Sequence, residues 1–179
     1  TLFIDEITIS GLFDSYKQRN QLGFTLGGSI TDLPIENLTA KIEFTKIYPF
    51  VYRHYIQTTD YQSARYSLGH WIGHNADLIY GSLNYRFLRG LQATVFGQYV
   101  RKGGDGNVQQ QYNIQPQPPF LFGMRKNYSY FGAEIKYEYT HELFAKLNFQ
   151  TTNSSIQQAD LSFIDTRLNE FYFSVYYGL

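Results

Sequence analysis

The stretch ADLIYGSLNYRF (Ala76–Phe87), followed by LRG (88–90) and LQATVFGQY (91–99), decides the fold class. In its first half, Ile79, Gly81, Leu83, Tyr85 and Phe87 are apolar or small, and Tyr80, Ser82, Asn84 and Arg86 alternate with them. In its second half, Leu91, Ala93, Val95, Gly97 and Tyr99 alternate with Gln92, Thr94, Phe96 and Gln98, and only Phe96 departs from the pattern. A period of two places successive side chains on opposite faces of a strand. Gly90 relieves the backbone at the tight turn of a hairpin.

The same alternation extends in both directions. Phe131, Ala133, Ile135, Tyr137 and Tyr139 stand against Tyr130, Gly132, Glu134, Lys136 and Glu138. After His141 and Glu142, Leu143, Ala145, Leu147 and Phe149 stand against Phe144, Lys146, Asn148 and Gln150, and the chain closes on Phe171, Phe173, Val175, Tyr177 and Leu179. Upstream, Leu22, Phe24, Leu26 and Ile30 share one face of a strand, Leu38, Ala40, Ile42 and Phe44 share another, and residues 2–10 bring the expected count to eight. Short connections fall near 32–36, 88–90 and 140–142. Longer ones fall at 11–19, 52–74, 102–125 and 153–169, the short-turn, long-loop rhythm of outer-membrane barrels.

Composition agrees with a wall that is greasy on one side and wet on the other. Of 179 residues, 17 are Tyr and 15 Phe, against one Trp, while mean hydropathy is only -0.35. No segment offers the ~20 apolar residues of a spanning helix, so a membrane crossing has to be made by strands. Fifteen basic and fifteen acidic residues cancel, which speaks against nucleic acid as a partner. There is no cysteine, hence no disulfide and no thiolate metal site. Neither a Gly-x-Ser-x-Gly elbow nor a His-Glu-x-x-His pair occurs, and no enzyme or cofactor is expected.

The reading is therefore an all-β, antiparallel transmembrane β-barrel over residues 1–179, with about eight strands in this chain and no separate soluble domain. A soluble barrel or sandwich would also alternate, but the tyrosines near strand ends suit an interfacial girdle in lipid. The opening on Thr1, inside a strand, leads to the expectation of further strands or a partner chain beside residues 1–10.

Two groups of residues are candidates for function. His70, Trp71, His74 and Asp77 lie between Gly69 and a strand, and with Tyr112 they are candidates for glycan contact, because aromatic rings stack on sugar faces while imidazole and carboxylate bond hydroxyls. A metal site is the weaker use of the two imidazoles, and a glycine-shaped loop anchored by Trp71 is the plainest. Lys41, Glu43, Arg86, Gln98, Glu134, Lys136, Glu138 and Lys146 would face the lumen, where charges either pair with one another or select among permeating ions. The glycines of KGGDGNVQQQYNIQPQP (102–118) lack the Lys-Ser/Thr ending and following helix of a phosphate loop, and an extended, mobile external loop is expected there.

The order Glu43-Phe44-Thr45, Tyr48-Pro49-Phe50-Val51-Tyr52, Leu68-Gly69-His70-Trp71-Ile72-Gly73-His74-Asn75-Ala76-Asp77 and Arg101-Lys102-Gly103 resembles the Wzi-type capsule-assembly family in its Bacteroidota version. The terminal pattern resembles the insertion signal of outer-membrane barrels, with Leu179 where Phe or Trp is commoner. The resemblance implies a Gram-negative outer-membrane protein, larger than this chain, that holds capsular polysaccharide at the cell surface. The partners it implies are membrane lipid and lipopolysaccharide, surface polysaccharide and other envelope proteins. A channel or transport barrel, or a structural barrel subunit of a larger envelope complex, is the alternative.

Overall fold

A computed structural model describes residues 1–6, 21–54, 61–63 and 66–178. The expected strand residues 7–10, the connection at 11–19, parts of the connection at 52–74, and Leu179 lie outside the described residues. One eight-stranded antiparallel sheet dominates, in the order β1 (Leu2–Glu6), β2 (Gln21–Thr31), β3 (Leu38–Ile47), β6 (Ala76–Leu88), β7 (Leu91–Lys102), β8 (Lys126–Thr140), β9 (Leu143–Gln157) and β10 (Phe163–Tyr177). A separate two-residue pair joins β4 (Gln62–Ser63) to β5 (Tyr66–Ser67), and a single helical turn, α1 (Val108–Tyr112), completes the elements. The sheet is open, with β1 and β10 at its edges. Each large strand pairs with its sequence neighbour, as a chain of hairpins requires.

Register converts the alternation into two continuous faces. Ile30, Ala40, Leu83, Val95, Ala133, Phe149 and Phe171 lie in one row across seven strands, and Leu38, Tyr85, Ala93, Ile135, Leu147 and Phe173 lie in the row below. On the other face, Arg86, Gln92, Lys136, Lys146 and Ser174 share a row, as do Asn84, Thr94, Glu134, Asn148 and Tyr172. Exposure is inverted relative to a water-soluble sheet. Ile42, Leu83, Val95, Phe131, Ile135, Leu147 and Phe173 are exposed, whereas Asn84, Thr94, Gln98, Glu134 and Asn148 are half-buried. The polar face is therefore the one on which side chains crowd together.

Phe96 on the polar face has a local reason. It pairs across the strands with Gly132, whose missing side chain leaves a gap that the Phe96 ring covers. At the tight turn, Gly90 has φ +86°, and a side chain there would meet the Glu138 carbonyl at 2.6 Å.

Two connections differ from their expected form. Residues 153–169 are mostly strand, because β9 and β10 stay paired up to Gln157 and Phe163 and leave only a tight connection. In this upper part the polarity reverses. Asn153, Ser155, Asp165 and Arg167 continue the apolar face, and Ile156, Ile164 and Leu168 continue the polar one. Residues 102–118 are not extended throughout. Asn107 and Gln110 form a capping box on α1, each side chain bonding the other residue's backbone N–H at 2.9 Å, and Gln111 is buried.

Candidate functional site

At the end of the sheet opposite the short turns, the connections at 48–54, 68–75 and 103–125 fold onto the strand ends as a cap. The buried apolar cluster of the described residues lies here: Ile47, Val51, Tyr52, Ile72, Ala76, Leu78 and Val100. Its centre is Asn75, which is 0% exposed. Asn75 holds a left-handed backbone (φ +54°), a conformation asparagine tolerates better than most residues. Its Nδ2 donates to the carbonyls of Gly104 (2.9 Å) and Phe122 (3.2 Å), and its Oδ1 accepts from the N–H of Leu121 (2.7 Å). Its own N–H donates to Tyr48 O (3.2 Å), and its carbonyl accepts from Gly103 N–H (2.8 Å). One residue thus ties all three connections together, its side chain joining 68–75 to 103–125 and its backbone N–H joining them to 48–54.

His74 is buried beside it. Its Nδ1 accepts the Phe50 N–H at 3.2 Å, and its ring stacks on Phe50, which in turn stacks on Phe122. Its Nε2 has no hydrogen-bond partner and lies 3.8 Å from the exposed Asp105 carboxylate. Burial, with the Arg53 and Lys102 cations adding to it, lowers the imidazole's pKa to about 4, so the ring is neutral at physiological pH. Gln21 links β2 to this cap. With its amide placed to satisfy its surroundings, it donates to Phe50 O (2.8 Å) and Asp5 (2.9 Å) and accepts from Gln111 (2.7 Å).

The five candidates for glycan contact are thereby separated. Asp77 is buried and forms a two-point ion pair with Arg101 (2.9 and 2.5 Å), its direct cross-strand partner. Together with His74 it belongs to the framework of the cap. Trp71 is 61% exposed, which corrects the expectation that it anchors the loop; the anchor is Asn75. Trp71 stacks on His70, which is half-buried, and burial lowers the His70 pKa against an opposing pull from Glu43. Tyr112 is half-buried on α1, and its hydroxyl accepts from Gln111 Nε2 at 3.2 Å.

Sequence reasoning missed a cleft of about 260 Å³ between β1–β3 and the cap, which brings His70 together with Phe3, Tyr52, Tyr61, Thr25 and Thr45. Phe3, Tyr52 and Tyr61 form a ring trio with centroids 5.1 to 5.8 Å apart, and the two threonine hydroxyls are 2.8 Å apart on the polar face. Phe3 and His70 are 67 residues apart in sequence, so no local spacing announces the cleft. Among the described residues no group of three or more His, Cys, Asp or Glu could hold a metal ion.

The eight candidates for the lumen do share one face. They pair only in part. Lys41 meets Glu43 at 3.0 Å and Lys146 meets Glu134 at 2.6 Å, while Lys136 lies over the Phe144 ring at 4.4 Å. Among the described residues Arg86 and Glu138 form no ion pair.

No family model, no curated protein and no solved structure matches this chain.

Proposed function

We propose that this chain forms wall and external loops of an outer-membrane β-barrel in a Gram-negative bacterium, and that it acts without catalysis in attaching or assembling capsular polysaccharide at the cell surface. The observation that carries the membrane part is the continuous exposed apolar face. On β6 it runs from Ile79 to Phe87, eight steps of ~3.3 Å, or roughly 20 Å of height at the usual strand tilt, close to the apolar band of such barrels. A polar row of Lys46, Asp77, Arg101, Asn127, Ser155 and Asp165 borders it above, and Tyr85, Phe87, Tyr137 and Tyr139 cluster near its lower edge. In hydrocarbon the free edges of β1 and β10 would have to be paired, which supports further strands or a partner chain completing the wall.

The polysaccharide part rests on the Wzi-type motif order and on the cap, whose rim offers Trp71 and whose underside offers the aromatic cleft. The channel reading gains support from the charges on the polar face that lack partners, and single-channel conductance distinguishes the two. The decisive experiment replaces Trp71 and Tyr61 by Ala in the inserted protein and measures surface polysaccharide. Retention is expected to fall severalfold, and unchanged retention overturns this part. The membrane part is tested separately, by cysteine labelling at Ile135 and Lys136 with lipid-soluble and water-soluble reagents. Equal labelling of both positions by both reagents overturns it.

A further inference from the structure

The charges on the polar face fall into two populations. Lys41 and Lys146 each hold a carboxylate, but at the short-turn end Arg86, Arg89 and Lys136 have none within ion-pair distance among the described residues. These three line one cleft of about 370 Å³ with Gln92 and Glu138. Arg86, Gln92 and Lys136 are consecutive in a single cross-strand row, and Arg89 enters from the turn between β6 and β7. Neighbouring strands stand ~4.8 Å apart, so the two cations flank Gln92 at roughly 10 Å between their backbones, within reach of a common point above the Gln92 amide.

Lys136 is also directly opposite Lys146, a like-charge pairing that is unfavourable unless something offsets it. Lys146 turns away to Glu134 at 2.6 Å, and Lys136 is left over the Phe144 ring. The neighbouring turn at 32–37 carries Asp32 and Glu36, yet neither pairs with Arg86. Asp32 accepts from the Asn37 N–H at 2.7 Å instead, while the Asn37 carbonyl takes the Arg86 N–H at 3.1 Å. The cleft therefore combines three cations, one carboxylate and a neutral amide donor.

We propose that this cleft is a binding site for a multivalent oxyanion, a phosphate- or carboxylate-bearing solute that guanidinium forks and the ammonium hold together. The site stands on the sheet's register and does not depend on the capsule reading. It predicts a role for Glu138 opposite in sign to that of its neighbours, since its carboxylate repels the ligand and limits affinity.

The test uses the full chain folded in detergent micelles, with inorganic pyrophosphate as the phosphate probe and citrate as the carboxylate probe, titrated calorimetrically at low salt. Saturable binding of at least one probe is expected. Combining Arg86→Gln, Arg89→Gln and Lys136→Gln should weaken it at least tenfold, and Glu138→Gln should strengthen it severalfold. A gain of binding cannot come from misfolding, so the Glu138 variant keeps the test sound if the triple variant folds poorly. Absence of saturable binding of both probes to the unaltered chain overturns the proposal, and so does weaker binding by Glu138→Gln.

Discussion

The two ends of this sheet follow opposite rules. At the loop end Ile47, Val51, Ile72, Ala76 and Val100 are at most 3% exposed, a small dry core of the kind found in water-soluble proteins. From Ile79 downward most large aliphatic residues of the apolar face are exposed, whereas amides, hydroxyls and charges such as Asn84, Thr94, Glu134 and Asn148 are half-buried. Under the membrane reading proposed above, a chain that buries its apolar groups in one region and displays them in the other would meet two solvents. Within β6 the buried Leu78 lies on the polar face and the exposed Ile79 beside it on the apolar one.

The strongest way to break this comparison is at the hub of the cap. Asn75→Ala removes three side-chain hydrogen bonds and leaves the Leu121 N–H and the Gly104 carbonyl unpaired in the cap, while the Phe122 carbonyl keeps its bond from the Gly104 N–H at 2.6 Å. A loss of about 4 kcal/mol in the stability of the cap is expected, at roughly 1–3 kcal/mol for each orphaned group with partial relaxation. Amide exchange should then accelerate across 102–123 while β8 and β9 keep their protection. Uniform acceleration across the sheet would mean that cap and wall are one cooperative unit.

A second variant probes the wall. Leu83→Arg puts a charge on the exposed apolar face and should cost about 3 kcal/mol in a bilayer, whereas Gln98→Arg, on the polar face, should cost less than about 1 kcal/mol. Denaturant unfolding in lipid vesicles measures both, and equal costs would erase the distinction between the faces.

The smallest effect sharpens the comparison by pH. The folded pKa of His74 lies near 4, below its ordinary value of 6.5, so the unfolded cap binds more protons between those values. Stability from this group is complete above about pH 6.5, declines as pH falls toward 4, and is gone below it. The expected loss is roughly 2–3 kcal/mol. Emission from Trp71, the single tryptophan, can follow the opening of the cap. Since His70 stacks on Trp71 and also titrates, the experiment belongs in a His70→Gln background, where His74→Gln should flatten the curve.

Most of the wall was legible in the sequence because alternation is a local signal. The eight strands, the short turns and the shared face of Lys41, Glu43, Arg86, Gln98, Glu134, Lys136, Glu138 and Lys146 all follow from it. The upper hairpin escaped because Thr151, Thr152, Asn153, Ser154 and Ser155 show no contrast between faces, and its polarity then reverses. The cap escaped for a different reason. The bonds from Asn75 to Gly104, Leu121 and Phe122 span 29 to 47 residues, and the left-handed backbones of Phe50, Tyr52 and Leu121 (φ +63°, +75° and +62°) have no signature in those residue types. His70, Trp71, His74 and Asp77 were singled out together, but neighbours in the chain face different surroundings once Asn75 turns the backbone between them.

The long pairing of β9 with β10 has a consequence for whatever approaches from the loop side. From Thr151 to Gln157 these strands climb six steps of ~3.4 Å beyond the last apolar row, roughly 20 Å along their length, where polar residues replace the greasy ones. The rim is therefore lopsided, with a squat knot of loops over β2–β7 and a bare parapet at the other side. Any large molecule arriving at the parapet would touch Asp160 and Ser162 at its tip well before it reached the apolar rows.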